Sequence, residues 1–152
     1  MSSNPRGDKM AGSASDAEWE TVLAYRPPED GSRDAAAARF TAAGVGAADV
    51  RAALSDGGDA LYEAARHHGA DWAEPFGGNL AVALLAAEIS VFAAHVTSRA
   101  SGIRSEAVAQ LLEDYSAVTV AGELGVSRQK VYEIARAGLR PPHFDNVPWR
   151  TP

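Results

Sequence analysis

The stretch Ala117-Val-Thr-Val-Ala-Gly-Glu-Leu-Gly-Val-Ser-Arg-Gln-Lys-Val-Tyr-Glu-Ile-Ala-Arg136 reads as two short amphipathic helices joined by a tight turn. Ser116 can accept a backbone hydrogen bond at the start of the first, Ala117–Leu124. Val120 and Leu124, one turn apart, form its expected inward stripe, and Ala121 is small where two helices must approach closely. Gly125 ends that helix and can take the left-handed backbone of a tight turn. Val126 is expected to bury in the angle, and Ser127 to cap the second helix, whose inner face is Val131, Ile134 and Ala135. Gly122 is costly inside a helix, by about 1 kcal/mol relative to alanine.

Upstream the pattern is helical back to Asp34. The spacing predicts a helix over Ile103–Tyr115 capped by Ser101, with Ile103, Ala107, Val108, Leu111 and Leu112 on one stripe. Before it, Asn79–Ser98 is the longest apolar segment, with Leu80, Val82, Leu84, Leu85, Ile89, Val91, Phe92 and Val96 nearly encircling a helix. It is built largely of alanine, is interrupted by Glu88 and His95, and lacks a basic flank at its N-terminal end. A buried central helix is therefore expected rather than a membrane span, with part of its cover supplied by a second subunit. Shorter helices are predicted over Ala35–Ala43 capped by Asp34, over Ala47–Leu54, and over Ala60–His68 capped by Asp59. Trp19, Val22, Leu23 and Tyr25 form an apolar cluster ahead of the Pro27-Pro28 break. No alternating run is long enough for a strand. The expected fold class is all-α, a small helical bundle with a C-terminal helix-turn-helix. Its expected organisation is a disordered tail over 1–16, a helical and dimerising body over 17–101, the helix-turn-helix domain over 102–140, and a proline-rich extended tail over 141–152.

The formal net charge of -6 argues against a general nucleic-acid coat, which needs concentrated lysine and arginine. The excess negative charge lies in residues 1–101, with 14 acidic against 8 basic residues, whereas 102–152 carry 6 of each. The absence of cysteine removes thiol nucleophiles and thiolate zinc sites and suits a reducing compartment. With no basic segment and apolar core at the N-terminus, a cytoplasmic protein is expected.

Facing outward from the second helix of the motif are Ser127, Arg128, Gln129, Lys130, Tyr132, Glu133 and Arg136. Arginine can bond a guanine edge in two places and glutamine an adenine edge, while serine and lysine suit phosphates. With these residues in place, Val120-Ala-Gly-Glu-Leu-Gly-Val-Ser-Arg-Gln-Lys-Val-Tyr-Glu-Ile134 resembles the helix-turn-helix of bacterial and phage transcriptional regulators. The resemblance implies that Ser127–Arg136 is a recognition helix for double-stranded DNA. Arg128 and Gln129, followed by Tyr132 and Glu133, would then meet base edges, and Lys130, Arg136 and Arg140 the backbone. It further implies a non-enzymatic, sequence-specific DNA-binding protein of transcriptional regulation, acting as a homodimer on a near-palindromic site. The same outer face could instead dock a partner protein, making the chain an adaptor, or merely solvate a helical hairpin.

Other constellations carry less. His67 and His68 point about 100° apart on a helix and do not readily share one ion, and no metal or cofactor is expected. Glu88 and His95 lie two turns apart and could pair, although a subunit seam or solvent suits them better. Asp71 and Glu74 flank Trp72 with nothing to orient them as a catalytic pair, and no nucleophile, phosphate-loop or zinc-protease signature occurs. In the C-terminal tail, Phe144 and Trp149 are expected to fold back over the bundle, the alternative being a partner-binding arm.

Overall fold

A computed structural model describes residues 15–67, 69–139 and 146–150. It is all-helical over the described residues, as the sequence pattern predicts. The helices are α1 (residues 15–22), α2 (Ser32–Ala42), α3 (Ala47–Ser55), α4 (Asp59–Arg66), a short 3-10 turn (Glu74–Phe76), α5 (Asn79–Asp114), α6 (Ala117–Leu124) and α7 (Arg128–Ala137). They divide into two compact units, one within Met1–Phe92 and Asp145–Pro152, the other within Ala93–Phe144. The division falls inside α5.

The first unit is built on a single apolar cluster. Trp19, Val22, Leu23 and Tyr25 enter it from α1 and its exit turn, Phe40 from α2, Val50 and Leu54 from α3, Leu61 from α4, and Ala81, Leu85 and Phe92 from α5. Trp19 stacks on Phe40 with ring centroids 5.8 Å apart, and Tyr25 meets Phe92 edge-on at 5.0 Å. The carbonyls freed where α1 ends are taken up from α2, because the Arg33 guanidinium donates to the carbonyl oxygens of Leu23 (3.3 Å), Ala24 (3.1 Å) and Arg26 (2.8 Å). The C-terminal segment closes the cluster. Val147 and Pro148 are buried, the Asn146 side chain donates to the Ala24 carbonyl at 3.0 Å, and Trp149 packs edge-on against Phe92 at 5.5 Å. Trp149 thus folds back as expected, while Phe144 lies outside the described residues.

Inside this apolar cluster sits a carboxylate. Glu88 is 3% exposed and carries a two-point ion pair with Arg26, Nε to Oε1 at 2.9 Å and Nη2 to Oε2 at 2.6 Å. The Tyr25 hydroxyl donates to the same Oε1. Burial, reinforced by the hydrogen bond to Glu88, holds the Tyr25 phenol protonated well above its ordinary value of 10.0. Glu88 is therefore neither a partner reserved for His95 nor a solvent-seeking group. Its charge is satisfied by two residues that precede the Pro27-Pro28 break.

The helix termini depart in part from expectation. Gly31 and Gly58, both in left-handed backbone, occupy the N-cap positions assigned to Asp34 and Asp59. Those carboxylates sit instead in the first turn, where they complement the positive end of the helix dipole. The larger correction concerns α5. The spacing predicts two helices, the second capped by Ser101, but one helix of 36 residues runs from Asn79 to Asp114. Gly102 lies within it, packed against Leu139: a Cβ there would stand 2.7 Å from Leu139 Cδ1 and 3.5 Å from Leu139 Cα, so the Leu139 side chain would have to shift. Nor is the apolar stretch buried all round. In its first half Ala81, Leu85, Glu88 and Phe92 are covered, while Leu80 (66%) and Val91 stay exposed. Among the described residues α5 is also the one helix long and apolar enough to cross a membrane, with a hydropathy of 1.9 over its most apolar window.

The second unit packs α6 and α7 onto the later part of α5 through Val108, Ala117, Val120, Ala121, Val131 and Ile134, with Leu112, Val126 and Ala135 at the margin. On α5 the inner stripe is Gly102, Ser105, Val108 and Leu112, whereas Ile103, Ala107 and Leu111 of the expected stripe face outward.

Removing Glu88 leaves the Arg26 guanidinium buried and unpaired. Glu88→Ala is expected to cost about 3–5 kcal/mol, read from its urea midpoint. A raised phenol pKa in the folded state adds stability that is complete below pH 10.0 and is lost as pH rises beyond it. Urea titrations should therefore show wild type losing more stability above that pH than Tyr25→Phe.

Candidate functional site

The outward residues of α7 are placed by the packing of its inner ones. Val131 and Ile134 are buried against Val108, Val120 and Ala121, and this sets the rotation of a helix of 10 residues. Its entry is defined by three local features. The Ser116 hydroxyl accepts from the Thr119 backbone N–H at 3.2 Å and starts α6. Gly125 takes φ 68°, ψ 32° and ends it, with the Val126 N–H returning to the Ala121 carbonyl at 3.1 Å. The Ser127 hydroxyl then accepts from the Lys130 N–H at 3.1 Å and starts α7. Leu124 departs from the expected stripe. As the last residue of α6 it is 41% exposed, and Val126, beyond the turn, packs against the core instead.

The rotation leaves Ser127, Arg128, Gln129, Lys130, Tyr132, Glu133 and Arg136 all exposed. Lys130 Nζ reaches Glu133 Oε2 at 3.6 Å, an ion pair half open to solvent and therefore weak. The remaining cations, Arg128 and Arg136, and the amide of Gln129 make no side-chain hydrogen bond or ion pair with another described residue. Chemically this is a ridge of hydrogen-bond donors with a net positive sign at the N-terminal end of a helix. It suits an anionic surface that also offers acceptors. Arg140 lies outside the described residues.

Ser105 was not singled out by the sequence reading, yet it secures the far end of α7. It is 1% exposed, donates to the Ala135 carbonyl at 3.3 Å and accepts from the Gly138 N–H at 2.7 Å. Its spacing from Val108 and Leu112 marks the buried stripe and could have revealed it.

Two carboxylates beside a pocket are engaged structurally. A pocket of about 270 Å³ in the first unit is lined by Ala53, Leu61, Phe76 and Leu85 together with Asp49 and Asp56. Asp49 accepts from the Gly46 N–H at 2.9 Å, and Asp56 from Gly58 at 2.8 Å and Ala60 at 3.1 Å, so both carboxylates serve turns. His67 lies 3.4 Å from Glu63 on the surface, whereas His68 and His143 fall outside the described residues. Among the described residues no group of three or more histidines, cysteines and carboxylates could hold a metal ion.

Because Gly122 is exposed and a Cβ there would meet nothing within 4 Å, Gly122→Ala should stabilise the protein by about 1 kcal/mol. Ser127→Ala should cost about 1 kcal/mol. Both effects are measured by urea titration. Comparison with protein-family models, curated proteins and solved structures finds no match to this chain.

Proposed function

We propose that α6, the turn and α7 form a helix-turn-helix that binds double-stranded DNA with sequence preference, in the service of transcriptional regulation. The observation that carries this reading is the segregation on α7. Val131 and Ile134 are buried, while Ser127, Arg128, Gln129, Lys130, Tyr132, Glu133 and Arg136 are exposed together. In this reading α7 enters the major groove, with Arg128 and Gln129 at base edges and Lys130 and Arg136 at phosphates. Ser127 keeps its hydroxyl proton for a phosphate oxygen while its lone pair caps the helix. Tyr132 and Glu133 reach the next bases, Glu133 as an acceptor for cytosine. Neither catalysis nor a cofactor enters this function, and the compartment is the cytoplasm. A homodimer would present two such helices about 34 Å apart to a near-palindromic site.

A second reading, an adaptor that docks a protein, is favoured by one observation. The outer side of α6 and its approach is apolar, with Tyr115 and Val118 exposed and a groove of about 290 Å³ between Leu111, Tyr115, Thr119, Val120 and Glu123.

A mobility-shift titration across salt concentrations separates the two. DNA binding predicts affinity falling steeply with salt, and Lys130→Ala lowering the log–log slope by about 1 for every sequence alike. Arg128→Ala and Gln129→Ala should each cost about 1–3 kcal/mol of discrimination at one base position. If no DNA of any sequence is retained at low salt while helical circular dichroism is intact, the regulator reading fails.

A further inference from the structure

The second unit leaves an apolar seam uncovered on α5. Ala93, Val96, Ala100, Ile103 and Ala107 are all exposed, Ile103 by 59%. Their spacing alternates three and four residues, the repeat of helices that wind around one another. Gly102, Ser105, Val108 and the half-buried Leu112, which face the second unit's own interior, lie on the opposite side of the helix. The seam is thus a separate face. Along it alanine occurs at every seventh residue (93, 100, 107), and Val96 and Ile103 form the intervening row.

The geometry points to a second copy of this chain as the occupant, docked antiparallel along the seam. Two features of the flanks select that partner and direction. Arg99 and Glu106 lie on one border and Arg104 on the other, and none of the three has an ion-pair partner among the described residues. Antiparallel pairing sets Arg99 of each chain beside Glu106 of the other, twice by symmetry, whereas parallel pairing sets Arg99 beside Arg104. Antiparallel pairing also opposes large to small in each layer, Val96 to Ala107 and Ala100 to Ile103, so the axes can approach to the close end of the usual 8–10 Å range. The preceding stretch also exposes Leu80, Ala83, Ala87 and Val91, but its only formal charge, Glu88, is buried and paired. Nothing there selects a partner or its direction.

This dimer stands independently of what α7 contacts, so its test omits nucleic acid. The mass of the full chain by light scattering should be that of two copies at micromolar concentration. Ile103→Asp, on an exposed position, should halve it with circular dichroism unchanged. Arg99→Glu should weaken association about tenfold or more, and adding Glu106→Arg should restore it. Since the chain has no cysteine, single thiols report direction. Ala93→Cys alone should not cross-link to itself, but mixed with Gln110→Cys it should give a disulfide-linked heterodimer. A single-chain mass for wild type, or a dimer that survives Ile103→Asp, overturns the proposal. Self-cross-linking of Ala93→Cys overturns the antiparallel direction.

Discussion

A carboxylate carried into an apolar cluster must either find cationic and hydrogen-bonding partners or give up its charge. Glu88 finds them in Arg26 and Tyr25, and much of the first unit's arrangement answers to that need. The two partners lie where α1 has ended and the chain turns toward α2, a place where irregular backbone would otherwise leave carbonyls unpaired. Arg33 supplies those carbonyls with donors, and Asn146 adds one more to Ala24. The turn after α1 is therefore held by polar contacts from α2, from α5 and from the C-terminal segment. Apolar burial brings these elements together, and the ion pair joins α5 to the turn after α1.

The second unit solves a smaller problem with fewer parts. Its apolar interior sets the rotation of α7, and hydroxyl groups fix the helix at both ends. Ser127 opens the helix and Ser105 meets its closing carbonyl and amide. A serine that is both donor and acceptor couples the end of α7 to α5 in a way an apolar residue of the same size could not. The exposed ridge on α7 inherits its orientation from the packing of Val131 and Ile134, and its ends from these hydroxyl contacts.

The helical class, the caps at Ser116 and Ser127, and the inner residues Val120, Ala121, Val131 and Ile134 were legible in the sequence because each follows from local spacing. What was not legible depended on distant neighbours. Ser101 looks like the cap of a new helix, yet the chain runs through it as one helix, with Leu139 packed against Gly102. Glu88 looked like a flaw in an apolar run because Arg26 lies 62 residues earlier. The exposure of Leu124 came from its position beside a turn, where the periodic stripe of a helix no longer applies. The chemical character of the α7 ridge could be read residue by residue. Its shared exposure required the packing beneath it.

The first unit draws its last core residues from beyond the second in sequence, since Val147 and Pro148 follow α7 in the chain. Ribosomal synthesis therefore delivers the whole of α6 and α7 before the older, larger core can close. The second unit is continuous in sequence, whereas the first is closed at the edge of Phe92 by Trp149, which follows α7. The N-terminal unit is thereby tied to a segment that follows α7, and loss of residues 146–150 would open its core rather than trim a surface.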